Sequence, residues 1–172
     1  MKFDTKQLIR LALLIAAQVV LSRFVSIATS ITKIGFGFVP IMLAGALYGA
    51  PGGCVVALLS DIIGALLFPQ GSFFIGFSIS AALGGAVLGL CFGKHKSRTL
   101  LGILLAYGIY GLTVTLGANA LCIAYLYGTP YIALLPKRLI QLAVMLPVQT
   151  VVTYLLLSVA HLDDRLRGRA SV

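Results

Sequence analysis

Apolar residues run through this chain in long blocks broken by short polar interruptions. Neither the strict alternation of a membrane strand nor the narrow stripe of a soluble amphipathic helix is present. Taken in order, the blocks predict helices over about 8–28, 38–50, 54–68, 73–93, 100–127 and 137–160. The interruptions carry turn chemistry: Ala50-Pro51-Gly52-Gly53, Pro69-Gln70-Gly71-Ser72, the basic run Lys94-His95-Lys96-Ser97-Arg98, and a loop from Gly128 to Pro136. Pro40 falls near the first turn of its helix, where a missing N–H costs little. Lys137 and Arg138 are expected to open the last helix, which holds Pro147.

Composition turns these helices into membrane spans. The chain is 60% hydrophobic and 10% charged, with a mean hydropathy of +1.08, where a soluble domain carries about a quarter charged residues. The expected fold is an all-α integral membrane protein, one domain over 1–172 with six transmembrane helices in a compact bundle. No cleavable signal peptide is evident, because the first apolar block lacks a small-residue cleavage site. Cys54, Cys91 and Cys122 stand apart without metal or disulfide spacing, and read as small buried hydrophobes.

The net charge of +9 would suggest nucleic acid in a soluble protein; in a membrane protein it reports topology. With six spans, Lys2, Lys6, Arg10, Lys94, Lys96, Arg98, Arg165, Arg167 and Arg169 share the side of both termini, which the positive-inside rule makes the cytoplasm. Arg23, Lys33, Lys137 and Arg138 fall on the opposite side, in the 1–2 and 5–6 connections. Snorkelling to lipid headgroups is one account of them, foremost for Lys33 and Lys137. An anionic ligand entering from outside would explain all four together.

Asp61 is the one acid inside a predicted span. At that depth a carboxylate needs a partner. Either it locks its helix to Arg23 or Arg138, or it accepts paired hydrogen bonds from a ligand edge such as an aminopyrimidinone. A proton relay is a weaker third option, since no other acid or histidine lies within the spans. Phe24, Phe36, Phe38, Phe68, Phe73, Phe74 and Tyr131 crowd the outer connections. An interfacial belt accounts for part of them, but Phe36 and Phe38 alternate with Gly35 and Gly37, and Phe73-Phe74 follow a turn, which suits a lid over a flat ring. Among the amides Asn119, Gln141 and Gln149, Gln149 reads as a helix link, whereas Gln141 shares a helix face with Arg138 and could clamp a carboxylate with it. Ala12 and Ala16 form a small-x-x-x-small pair, as do Gly45/Gly49 and Gly85/Gly89; internal packing is the commoner use. Helical spacing sets Arg23 near the Ala12/Ala16 stripe, so Arg23 must sit at a frayed end or beyond a bend. Gly89–Lys94 falls one residue short of a P-loop. No nucleotide, metal or nucleophile–base motif is present, and none implies a cofactor: the chain reads as a non-enzyme.

Three stretches carry a resemblance: Lys33-Ile34-Gly35-Phe36-Gly37-Phe38-Val39-Pro40, Ser60-Asp61-Ile62-Ile63-Gly64-Ala65-Leu66-Leu67-Phe68-Pro69, and Gly71-Ser72-Phe73-Phe74-Ile75-Gly76-Phe77. They resemble the substrate-binding (S) subunits of energy-coupling factor (ECF) vitamin transporters, the folate-specific branch above all. The resemblance implies a bacterial, multi-pass cell-membrane protein that binds folate near the outer face. It further implies assembly with a transmembrane coupling protein and two ATPase subunits, with Ala12 and Ala16 matching the motif that meets the coupling protein. Folate, a pterin with a dianionic tail, fits the residues: the pterin against Asp61 and the aromatics, and the tail near Arg23, Lys33, Lys137 and Arg138. An S subunit for riboflavin or pantothenate, or a stand-alone carrier, are the alternatives.

Overall fold

The computed structural model describes residues 5–28, 33–69, 74–93 and 99–169, with side chains at all of these except 27, 28, 33, 34 and 159–169. In chain order they form α1 (Thr5–Arg23), β1 (Ser26–Ala28), β2 (Lys33–Gly35), α2 (Phe38–Leu67), α3 (Ile75–Phe92), α4 (Leu100–Tyr110), a π-helical segment (Gly111–Asn119), α5 (Ala120–Tyr127) and α6 (Tyr131–Arg169). The segments from Leu100 to Tyr127 run on as one rod, so five helices among the described residues are long and apolar enough to cross a membrane. The chain is therefore an all-α membrane protein apart from one short hairpin. Phe73 and the basic run 94–98 lie outside the described residues.

Three expectations need correction. The first helix ends at Arg23, not Ala28: residues 26–28 pair antiparallel with 33–35, Ser26 opposite Gly35. The β-branched run Val25, Ile27, Thr29, Ile31, Thr32 and Ile34 disfavours helix and favours strand. Close approach of Ser26 leaves no room for a side chain at Gly35. The last helix begins at Tyr131, before Lys137 and Arg138, and absorbs Pro136 as well as Pro147. Membrane bundles tolerate such prolines because neighbouring groups take up the freed backbone atoms. The second break falls at Gly49, whose φ of 70° and ψ of −161° lie where only glycine is at ease. Ala50–Gly53 are helical, with Pro51 in the first turn after the break, where it needs no N–H.

At Gly49 the chain folds back on itself. In a straight helix Gly45 and Gly53 would be about 12 Å apart, yet a Cβ built on Gly53 falls 3.5 Å from the Gly45 Cα. Helix α3 packs against both arms. Gly89 meets Gly45 on the first arm, and Gly85 meets Gly53 and Ala57 on the second. Side chains at these glycines would strike opposing backbone, so the contact is main chain on main chain, as small residues permit in membranes. Phe38, Met42, Leu88, Phe92, Ile103, Ala106 and Tyr107 form the central cluster. The Tyr107 hydroxyl, at 2.8 Å from Thr153 Oγ1, joins α4 to α6.

Candidate functional site

Depth along the bundle can be read from two contacts. Arg23, the last residue of α1, lays its guanidinium over Gly64, where a Cβ would come within 2.8 Å of Nε. The second arm of α2 runs parallel to α1: Leu11 clusters with Val56 early in both, and the Arg23 guanidinium reaches Gly64 late in both. At the other side, a Cβ on Gly37 would lie 3.1 Å from Gln18 Nε2 and 3.2 Å from Ser22 Cβ. The chain leaving the hairpin therefore passes between Gln18 and Ser22, beside the last two turns of α1, before α2 begins. Irregular backbone at such depth is tolerated only where protein or a water-filled hollow covers its polar groups. The end of α1 also resolves where Arg23 points. Ala12 and Ala16 are exposed on the outer surface of α1, while Arg23 turns across α2 from the terminal turn.

Polar side chains pair within the bundle at three further places. Ser78 Oγ donates to Asp61 Oδ2 at 2.8 Å, and Ser80 Oγ donates to Asn119 Oδ1 at 2.9 Å. Both serines are buried on α3, and their two-residue separation turns them to opposite sides of the helix, one toward α2 and one toward the π segment. That segment widens the helix at Asn119, and its Leu116 carbonyl accepts a hydrogen bond from the Tyr131 hydroxyl at 2.8 Å. On α6, Arg138 is 5% exposed while its neighbour Lys137 is exposed. Arg138 Nη1 donates to Gln141 Oε1 at 2.9 Å, and Arg138 Nε is buried with no hydrogen-bond partner among the described residues.

The aromatics divide. Phe24 and Phe68, both exposed, meet edge to face at 5.1 Å, as an interfacial belt would. Phe38 is buried and packs edge-on against Tyr107 at 5.8 Å, while Phe36, 42% exposed, lies 6.4 Å from it. Phe74 touches Phe77 at 5.9 Å and stacks on Tyr125 at 5.8 Å. Lys33 is placed by its backbone in β2, opposite Ala28. Two residues that sequence reasoning passed over stand out: Ser78 and Gln18. Each sits inside a helix among mostly apolar neighbours, and their contacts with Asp61 and Gly37 cross elements, so no local pattern announces them. Arg23 and Asp61 are brought to one arm of α2, Asp61 and Asn119 are linked through α3, and Arg138 and Gln141 pair on α6.

Residues 6–157 match the family described as ECF transporter, substrate-specific component. The Folate transporter FolT of Clostridium novyi (strain NT) is 35% identical over 147 residues, covering 86% of this chain and 85% of that one. The Folate transporter FolT of Leuconostoc mesenteroides subsp. mesenteroides is 30% identical over 162 residues, covering 91% and 87%. A crystal structure of FolT bound with folic acid matches with a TM-score of 0.81 at 32% identity, over 88% of this chain and 91% of that one. A family match spanning nearly all the described helices, with relatives of 30–35% identity over most of their length, makes this chain a substrate-specific component of the ECF transporter family: a multi-pass membrane binding subunit rather than an enzyme.

Proposed function

We propose that this chain binds folate at the Arg23 end of its bundle and delivers it across the membrane as the S component of an ATP-driven ECF transporter. The observation that carries the ligand is Arg138. Its guanidinium is buried, its described contact is the neutral Gln141 amide, and Nε is unsatisfied among the described residues. The one acid with a described side chain, Asp61, is engaged by Ser78. A buried cation without a carboxylate is costly, and a dianionic guest would supply one. FolT relatives and a FolT structure holding folic acid support the choice of vitamin.

In this reading the glutamate tail lies toward Arg23, Lys33, Lys137 and Arg138, with Gln141 beside it. The pterin sits deeper, its aminopyrimidinone edge on Asp61 and its faces near Phe36, Phe38, Phe73, Phe74 and Asn119. Because α2 reverses at Gly49, its arms count as two spans, giving six with both termini in the cytoplasm. The first arm, from Phe38 to the break, is only about 16 Å long, half the hydrocarbon thickness of about 30 Å. The hairpin and the loop to Gly37 fill the remainder and roof the site. A transmembrane coupling protein with two ATPase subunits would supply the energy, the first meeting α1 at Ala12 and Ala16.

Equilibrium binding of folic acid to the purified chain, challenged with riboflavin and pantothenate, tests the reading. Saturable binding that neither competitor displaces is expected. Absence of folate binding overturns the vitamin, and uptake by the chain alone in liposomes overturns the division of labour.

A further inference from the structure

We infer that the Gln18 carboxamide reads the 2-amino/N1 edge of the bound heterocycle, opposite the edge held by Asp61. The inference rests on the folate reading above and names a specificity-determining contact for that site.

Gln18 lies on the inward face of α1 with Leu11 and Val19 and is 9% exposed. Its Oε1 is buried with no hydrogen-bond partner among the described residues. The amide is pressed flat on the main chain at Gly37: both Nε2 and Oε1 lie 3.1–3.3 Å from where a Cβ would stand. A glycine at that position gives the amide its space. An acceptor so buried, with no partner among the described residues, is costly to the fold, and a bound donor would offset that cost.

Depth and chemistry indicate what it binds. Leu11 clusters with Val56; Gln18 lies seven residues beyond Leu11 on α1, and Asp61 five beyond Val56 on the parallel arm. At 1.5 Å per residue the Cα atoms of Gln18 and Asp61 differ by only about 3 Å in depth, within reach of one heterocycle for their side chains. A 2-aminopyrimidinone has four recognition atoms on this side: the N3–H, two 2-amino hydrogens and the N1 lone pair. A carboxylate takes the N3–H and one amino hydrogen. What remains is a donor beside an acceptor, which a primary amide matches atom for atom, Oε1 accepting the second amino hydrogen and Nε2 donating to N1. The glycine-backed amide is also the junction between α1 and the Gly35–Phe38 roof, so its engagement fixes ligand and roof at once.

The test is a ligand–mutant cycle by equilibrium binding, using folic acid and its 2-deamino-2-methyl analogue on wild type, Gln18→Leu and Gln18→Glu. Gln18→Leu is expected to weaken folic acid binding roughly tenfold or more. It should cost the analogue, which lacks the amino hydrogens, at least about fivefold less. Gln18→Glu, which keeps the acceptor and loses the donor to N1, should fall between. The melting temperature of ligand-free Gln18→Leu should equal or exceed that of wild type, since an unsatisfied acceptor has been removed. Equal losses for both ligands, or a lowered ligand-free melting temperature, would mean that the amide only supports the fold. If wild type binds folic acid and Gln18→Leu binds it equally, the inference fails while the folate reading stands. If wild type binds none, the folate reading falls and takes this inference with it.

Discussion

Asp61 and Ser78 face each other across the α2–α3 contact, the serine hydroxyl donating to Oδ2 at 2.8 Å. The hydroxyl fixes one oxygen of the carboxylate and so orients the other. A carboxylate held this way is built as an acceptor, because its donor arrives from a buried neighbour and leaves lone pairs to spare. Replacing Ser78 by Ala removes a hydrogen bond to a charged group, a change of about 1.5–3 kcal/mol in such settings. Folic acid affinity in Ser78→Ala should fall by tenfold or more, while Asp61→Ala should lose about 2–5 kcal/mol of binding. Calorimetry on both variants checks it; full affinity in Asp61→Ala would displace the pterin from α2.

Arg138 and Gln141 divide differently. Arg138→Ala takes away the buried charge proposed to meet a carboxylate, and should weaken folic acid by about 2–5 kcal/mol. The same variant should bind pteroic acid, which lacks the glutamate tail, about as well as wild type does. A proportionate loss for both ligands would show that Arg138 serves the bundle instead of the tail.

Gly64 gives a test of Arg23 that leaves the arginine in place. A methyl group there would stand 2.8 Å from Arg23 Nε, forcing the far end of a flexible side chain aside at modest cost to the fold. Gly64→Ala should keep its ligand-free melting temperature within a few degrees of wild type and weaken folic acid by about 1–2 kcal/mol. Unchanged affinity would place Arg23 outside the site.

Ala12 and Ala16 lie exposed on α1, away from the polar pairs. Ala12→Trp or Ala16→Trp should leave folic acid binding near wild type yet abolish folate uptake by cells carrying the ATPase module. Uptake assays paired with binding on the same variants separate the two effects.

The glycine seam between α2 and α3 is a matter of fold alone. Gly85→Val would drive a branched side chain into the Gly53 carbonyl, where nothing can yield but backbone. A loss beyond about 3 kcal/mol is expected, seen as early melting or failure to purify in detergent.

How far the sequence carries can be judged at particular residues. Helix positions from Ile75 to Phe92 and Leu100 to Tyr127 were legible because unbroken apolar runs leave no other backbone solution in lipid. Gly45/Gly49 and Gly85/Gly89 were legible as packing, and Gly45, Gly85 and Gly89 do meet their counterparts on the facing helix. Residues 24–28 escape the pattern because apolar content extends the helical signal while β-branching, a weaker one, ends it. Pro136 looks like a helix stop by a rule of aqueous proteins that a membrane bundle relaxes. Arg138 and Asp61 could be picked out as charges where charge is expensive, but the Ser78 and Gln18 amide contacts are tertiary. An uncharged polar residue inside a span is too common to single out until its neighbour is known.

The π-helical stretch from Gly111 to Asn119 has an evolutionary consequence. A wide turn is how a helix stores one residue more than regular winding needs. Removing Gly117, beside which a Cβ would find only the Leu112 carbonyl at 3.5 Å, would return the rod to ordinary pitch. Tyr107 on one flank and Ile123 on the other would stay seated in their buried positions, while Asn119 would swing off Ser80. A single-codon insertion or deletion is thus enough to create or erase that polar link without rebuilding the scaffold.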